Sequence, residues 1–305
     1  MRAEALSGTE AVWEKLFRVS PGATPFLSFD WFRNLSRHLL KYDPQVLILS
    51  KDKVVVSIIP AMVTDRTLVL IGDERVTDLN GMLYARGYES SIIECLVEYT
   101  AAHALGVDLY PLEKNSPLVT GIGEHIKGII VKPNDTCPLL ELAGTWEGYL
   151  AGLDGKARHE LKRKIKKANG VTLKDIQPSN IQMLFQLMAR SVEEKEIFLN
   201  EDTMAFFKDL ANAFYMKGWL RMRAAAIDEN ILGIIFAFGY GRRVFLFNMG
   251  FAPELRHLSP GIVTVALDIK SAIEQGYHYY DFLRGNEDYK YRLGASKRHT
   301  VRIIA

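Results

Sequence analysis

Residues 219–251, WLRMRAAAIDENILGIIFAFGYGRRVFLFNMGF, decide the fold. They hold three apolar runs, 219–227, 231–240 and 243–251, separated by Asp228-Glu229-Asn230 and Gly241-Arg242. Short polar or glycine-bearing breaks between such runs predict an antiparallel meander of three strands. Downstream, Ser259 stands as the N-cap of a helix with Pro260 at its first position. Ile262, Ala266, Ile269 and Ile273 form its buried stripe, and Gly276 ends it. Residues 277–283 predict a strand parallel to the third, because a helix crosses over between them. A last strand is predicted over 297–303. Upstream of the meander, 171–176 reads as a strand, and 178–190 and 202–217 as helices.

A helical passage over 146–169 precedes this half. Ala157, Leu161, Ile165 and Ala168 make one apolar stripe, and Gly170 supplies the stop. Its other faces carry Lys156, Arg158, Lys162, Arg163, Lys164, Lys166 and Lys167. In the first half, Ser28 is read as the N-cap of a helix reaching Leu40, with Phe29, Phe32, Leu35 and Leu39 on one side. Residues 45–50, 53–60 and 67–71 are Val- and Ile-rich runs that predict a second meander. A helix over 89–105 and strands over 106–110 and 126–132 complete this half. The two halves share an order of elements but no sequence repeat.

The chain has 305 residues, 48% of them hydrophobic, which suits two core-forming domains at roughly 150 residues each. Lys and Arg number 38 against 36 Asp and Glu, so a net charge of +2 gives no global attraction to DNA or an anionic membrane. Cys95 and Cys137 are the two cysteines; this excludes a disulfide scaffold and any four-cysteine metal site, and suits a reducing compartment. Residues 1–10 lack the apolar run of a targeting signal, and the apolar stretch 231–240 falls short of the ~20 residues of a membrane helix. A soluble, cytoplasmic protein without a membrane span is the expectation. The seven histidines show no helical pairing at metal spacing, so no metal site is expected. Gly-x-Ser-x-Gly and Gly-x-x-x-x-Gly-Lys-Ser/Thr motifs do not occur, and Gly121-Ile122-Gly123 lacks the third glycine of a dinucleotide site.

The element order of the second half, with the string YDFLRGNEDYK at 280–290 and the Ser259-Pro260-Gly261 helix start, resembles the GNAT acyltransferase superfamily. Within it, the sequence is similar to a GNAT-like acetyltransferase family associated with cellulose and exopolysaccharide biosynthesis and related to the Fem-type peptidyltransferases. Pro25-Phe26-Leu27-Ser28-Phe29-Asp30-Trp31 and Thr77-Asp78-Leu79-Asn80-Gly81 look like that family's N-terminal lobe, and 158–170 like its basic helix. The likeness covers residues 25–303. It implies an α/β (α+β) fold of tandem GNAT-like lobes, with mixed sheets flanked by helices. The lobes are expected at 1–140 and 171–305, joined by a basic helical segment at 141–170. The resemblance also implies an enzyme that moves an acyl group, acetyl being the first choice, from acyl-CoA to an amine or hydroxyl. A small polar acceptor, a sugar or nucleotide sugar, is the expected partner.

The same resemblance assigns residues. The GNAT phosphate signature, Arg/Gln-x-x-Gly-x-Gly/Ala, falls on residues 256–261: Arg256 and Gly261 match, whereas Ser259 replaces the middle glycine and Pro260 removes an N–H. Backbone N–H groups and the positive helix end there attract a pyrophosphate. Asn248, Met249 and Gly250, at the end of the third strand of the meander, are where the acyl carbonyl is expected. Asp281, Arg284, Glu287, Tyr289 and Lys290 lie at or beyond the end of a parallel strand, where ligands bind in open α/β sheets. Acyl transfer needs a base, a donor for the oxyanion and a proton for the thiolate. Asp281 or Glu287 is the expected base, Tyr289 the proton donor and, by likeness to Fem-type enzymes, Lys290 the oxyanion stabiliser. Arg158 and Arg284 are expected to bind substrate.

Two further readings compete. A Fem-type enzyme would take its acyl group from aminoacyl-tRNA; the basic helix favours this, and the lack of a long coiled-coil insertion in the second half opposes it. A non-catalytic GNAT scaffold would bind neither donor.

Overall fold

Pro60 is the point at which the first part of the chain changes sheets. In the computed structural model, which describes residues 1–126, 128–191 and 193–305, β1 (Arg2–Ala5), β2 (Gln45–Lys51) and β3 (Val54–Ile59) precede it, with α1 (Glu10–Phe17) and α2 (Phe29–Asn34) between the first two. After it come β4 (Ala61–Thr64), β5 (Thr67–Leu70), β6 (Leu83–Tyr84), α3 (Glu89–Ala102), β7 (Gly106–Leu112), α4 (Pro117–His125) and β8 (Ile130–Thr136). The Ser28 hydroxyl accepts from the Trp31 N–H at 3.2 Å and starts α2 as the sequence predicts. The helix then continues to Leu40 in a wider, π-type winding and stops at Lys41, which turns left-handed at φ 61°.

The meander expected over 45–71 is not one sheet. β2 and β3 form a hairpin that belongs to a β1-β2-β3-β6 sheet. Proline cannot donate to a ladder, so pairing breaks at Pro60, and the short β4, absent from the sequence reading, pairs with β5 in a second sheet. Helix α4 was also unforeseen. Of the strand expected over 126–132, Lys127 lies outside the described residues, and the strand itself runs Ile130–Thr136.

The second part carries β9 (Leu139–Glu141), α5 (Trp146–Gly152), α6 (Gly155–Lys167), β10 (Thr172–Asp175), α7 (Ile181–Ser191), α8 (Glu193–Phe198), α9 (Glu201–Met216), β11 (Leu220–Ile227), β12 (Asn230–Tyr240), β13 (Arg243–Phe251), α10 (Pro260–Glu274), β14 (Tyr279–Asp281) and α11 (Asp288–Arg292). Its sheet has the order β10-β11-β12-β13-β14-β9. The first four strands are antiparallel, and α10 crosses over to bring β14 parallel to β13. Residues Leu232 to Gly239 of β12 are buried in succession, as a central strand covered on both faces requires. The last strand, β15 (His299–Ile304), pairs with β7 in the sheet β4-β5-β7-β15-β8. The fold is therefore mixed α/β, with mixed sheets flanked by helices.

Packing divides the chain into Met1–Asp135 with His299–Ala305, and Thr136–Arg298. Three features differ from the sequence reading of 1–140, 141–170 and 171–305. β15 goes to the first unit's sheet, where Val301 and Ile303 enter its core. β9 pairs with β14 in the second unit. The 146–169 passage also belongs to the second unit and is two helices, because Asp154 ends one run and caps the next, its carboxylate accepting from the Lys156 and Ala157 N–H groups at 2.9 and 3.0 Å.

Helix α10 is held to the sheet in two ways. Val263, Ala266, Ile269, Ala272 and Ile273 are buried, the larger aliphatic side chains each contributing about 1.5–3 kcal/mol. Asp268, fully enclosed, accepts from Arg221 at 2.8 Å and Arg223 at 3.2 Å through one oxygen, and from the Tyr280 hydroxyl at 2.9 Å through the other. One carboxylate thus ties α10 to β11 and β14.

Candidate active site

β13 runs antiparallel to β12 from Gly233↔Phe251 to Tyr240↔Arg243, with a bulge at Phe247. Its pairing with β14 covers three residue pairs, Arg243↔Tyr279 to Phe245↔Asp281. β14 leaves the ladder because the Phe282 N–H goes to the Pro138 carbonyl and Leu283 adopts φ 54°, a left-handed conformation costing about 1–2 kcal/mol. The Leu283 N–H is held there by Asp281 at 2.9 Å. From Leu246 onward, the edge of β13 facing away from β12 has no strand beside it among the described residues. Bulges and strained residues of this kind gather next to active sites.

The alternation of β13 gives this open edge two sides. Met249 and Phe251 point toward α10, where a Cβ on Gly261 would lie 3.3 Å from the Phe251 ring and 3.4 Å from the Met249 methyl. Asn248 and Gly250 point toward α7 and α8, where a Cβ on Gly250 would lie 2.5 Å from the Met188 nitrogen. The backbone of α7 therefore rests directly on Gly250.

On the α10 side, Ser259 turns left-handed at φ 55° before the helix begins. Its carbonyl accepts from Val263 and Pro260 has no N–H, which leaves Gly261 and Ile262 to supply the donors of the first turn. Lys164 of α6 donates to the Ser259 hydroxyl at 3.0 Å. A cavity of about 670 Å³ opens between α6, the start of α10 and α11. Ala157, Leu161, Ile262 and Leu293 give it an apolar floor, while Lys156, Lys164 and Arg292 put cations on its rim beside Asp154 and Glu160, the latter 3.1 Å from Lys164.

Residues 155–291 match the family model for the acetyltransferase (GNAT) domain. Solved structures extend the likeness over the whole chain. FemX superposes with a TM-score of 0.68 at 10% identity, covering 99% of this chain and 97% of its own. A conserved protein of unknown function from Bacteroides thetaiotaomicron gives 0.65 at 13% identity, covering 98% and 96%. The C-terminal domain of a candidate lysylphosphatidylglycerol synthetase from Agrobacterium fabrum gives 0.62 at 8% identity, covering 98% and 92%. At such identities the likeness establishes the fold alone. No curated protein sequence matches the chain.

Within the GNAT segment, several residues singled out from sequence have other work. Arg256 is exposed, and its Nε donates to the Pro253 carbonyl at 3.2 Å. Gly261 faces the sheet with its Cα, so it sets helix–strand spacing as well as offering its N–H. Pro260 is buried and Met249 nearly so. Arg158 reaches back to the Ala151 carbonyl at 3.3 Å, and the cavity takes Lys156 and Lys164 of the same helix instead.

Asp281, expected as one of two candidate bases, lies in a closed environment. It is fully enclosed, accepts from Arg298 at 2.6 Å, lies 3.6 Å from Arg243 and caps Leu283. An ion-paired carboxylate without solvent contact is unsuited to taking a proton from an incoming acceptor. Lys290, expected as the oxyanion stabiliser, is held in the loop that follows β14. It is buried, with its ammonium 3.0 Å from the Arg284 carbonyl, 3.2 Å from the Gly285 carbonyl and 3.0 Å from Glu287. Its three N–H groups are thereby engaged in shaping the loop that follows β14. Lys290→Met should leave those carbonyls without a donor and lower stability by about 1–3 kcal/mol. Thermal unfolding and faster tryptic cleavage at Arg284 would register this; an unchanged melting point and cleavage rate would refute it.

Glu287 remains half-exposed beside Lys290, and Tyr289 lines the cavity. Burial and the nearby Glu287 raise the Tyr289 phenol above its usual range, so it stays protonated at neutral pH. Among the described residues, no group of three His, Cys, Asp or Glu is placed to hold a metal. No helix among them is long and apolar enough to cross a membrane.

One residue was missed. Lys195, on α8, donates to the Asn248 side chain at 3.0 Å and to the Met249 carbonyl at 2.5 Å, on the open edge of β13. Burial lowers its ammonium to about 8, with Glu287 acting to raise it and Lys290 to lower it further. The sequence signal was weak, because EEKEIF reads as a solvated charged run.

Proposed function

We propose that the GNAT segment moves an acyl group from acyl-CoA to an amine or hydroxyl of a small polar acceptor. The observation that carries this reading is the succession of three features: the open edge of β13, the donor-bearing start of α10 and the cavity beside it, where Lys164 reaches the Ser259 hydroxyl. A CoA pyrophosphate is suited to the Gly261 and Ile262 N–H groups and Lys164, because a helix start and an ammonium both favour an anion. The pantetheine arm, extended and only sparsely polar, suits the edge of β13, which brings the thioester to Asn248–Met249. Tyr289, protonated and lining the cavity, is the proton donor this reading assigns to the departing thiolate. A sugar acceptor in exopolysaccharide or envelope synthesis is the class that the sequence resemblance favours.

Isothermal calorimetry with acetyl-CoA tests the donor. Lys164→Ala should weaken binding about tenfold or more, since a charge-assisted hydrogen bond contributes about 1.5–3 kcal/mol. No heat with the wild-type protein, or an unaltered affinity in Lys164→Ala, would overturn the assignment of this site. A tRNA-borne donor is the second reading, favoured by the exposed face Lys162, Arg163, Lys166 and Lys167 on α6. It requires tRNA binding that falls steeply with salt, and the same titration separates the two.

A further inference from the structure

The two sides of β13 divide the work of an acyl transfer. The α10 side offers groups for a phosphorylated donor, and the α7–α8 side faces the same open edge from the other direction. An acceptor attacking a thioester that lies along this edge arrives from the side the donor does not fill. Lys195 stands there. Its Nζ contacts the Met249 carbonyl and the Asn248 side chain, at 2.5 and 3.0 Å, on the stretch of backbone where the thioester is placed.

We infer that Lys195 is the general base of the reaction, taking the proton from the acceptor amine or hydroxyl as that group attacks the thioester carbonyl. The inference rests on the acyl-CoA reading above. A neutral amine has two N–H groups and one lone pair. Asn248, whose side-chain oxygen also accepts from the Met249 N–H, and the Met249 carbonyl can accept those two N–H bonds, which leaves the lone pair for the acceptor's proton. The other bases in reach are less suited: Asp281 is enclosed by arginines, and Glu287 is ion-paired with Lys290. Glu287 and Lys290 are also the charged groups whose fields reach Lys195, while β13 presents the uncharged Asn248 and Met249. With its ammonium lowered to about 8, Lys195 is neutral in a usable fraction at physiological pH. The step balances. The acceptor's N or O bonds to the acyl carbon as the C–S bond breaks, and the acceptor's proton goes to Lys195. The thiolate draws a proton from Tyr289, and both side chains re-equilibrate with solvent.

The test uses acetyl-CoA with water as the acceptor and follows thiol release from pH 6 to 9.5, corrected for the reaction without protein. Calorimetry of acetyl-CoA binding accompanies each protein. Wild-type release should rise with pH and level off above about 8. Lys195→Met should bind acetyl-CoA as wild type does, yet release thiol about 100-fold more slowly with the rise abolished. Lys195→Arg keeps the charge but cannot act as a base, so it should not rescue. Should Lys195→Met fail to fold, the wild-type profile and Lys195→Arg carry the test. Release equal in wild type and variants at every pH overturns the inference, as does a wild-type rate that falls through pH 8. Absence of acetyl-CoA binding to the wild type overturns the donor reading itself, and Lys195 with it.

Discussion

Replacing Asp268 with alanine should remove about 3–5 kcal/mol of stability, the largest loss expected from any single side chain described above. The carboxylate is fully enclosed and is shared by Arg221, Arg223 and the Tyr280 hydroxyl. Deleting it leaves two guanidinium groups, each about nine-tenths or more buried, without their shared counter-charge. Against a typical total of roughly 5–15 kcal/mol, that loss unfolds a large share of the protein at 37 °C. Asp268→Asn keeps an acceptor without the charge and should fall between. Arg163→Ala, which breaks an exposed pair with Glu160, serves as the contrast and should change stability by less than about 1 kcal/mol. Urea unfolding of the three variants is the measurement. Asp268→Ala within about 1 kcal/mol of wild type would show that the network contributes little.

Gly250→Ala is expected to be the second large effect, by a different mechanism. A methyl at this position meets backbone, 2.5 Å from the Met188 nitrogen and 2.8 Å from the Leu187 carbonyl carbon. Backbone cannot rotate aside as a side-chain tip does, so α7 must lift or β13 must bend. Overpacking of this kind costs about 1–3 kcal/mol, and Gly250→Val should exceed that range. Because α7 leads into α8, the displacement also carries Lys195 away from Met249. On the general-base proposal for Lys195, thiol release should therefore fall further than the population of folded protein does. Urea unfolding together with thiol release per folded molecule checks both parts. An alanine variant with unchanged midpoint and rate would mean that the close approach is easily relieved.

The architecture of the second unit was legible because its local signals agree with one another. Two short turns, a Ser-Pro helix start and a closing glycine place β11, β12, β13 and α10 within a residue or two. The first unit was harder, because its decisive event is long-range. Residues 53–71 read as consecutive strands whether or not Pro60 divides them between sheets, and nothing in 297–303 says which sheet will receive it. For the site, the sequence named residues but not the partners that the fold brings to them. Asp281 and Lys290 lie where chemistry was expected, but their neighbours Arg298, Arg243 and the Arg284–Gly285 carbonyls arrive through the fold. Asp268 left a signal that went unused: a carboxylate in the apolar middle of a helix, with Arg221 and Arg223 two residues apart on one face of a strand. Lys195 left almost none, since only tertiary packing distinguishes it from the glutamates around it.

The route of β15 bears on how the protein is made. The strand enters an interior position of the first unit's sheet, between β7 and β8, after the whole of Thr136–Arg298 has intervened. On the ribosome, then, the N-terminal unit emerges first and waits with that sheet incomplete. At roughly 5–20 residues per second, the wait lasts on the order of ten seconds or more. Through that interval β7 and β8 each present an unpaired strand edge, the kind of surface that recruits chaperones or stray strands. The unit that is synthesised first is thus the one that finishes last, and its folding is timed by translation of the Thr136–Arg298 unit inserted within it.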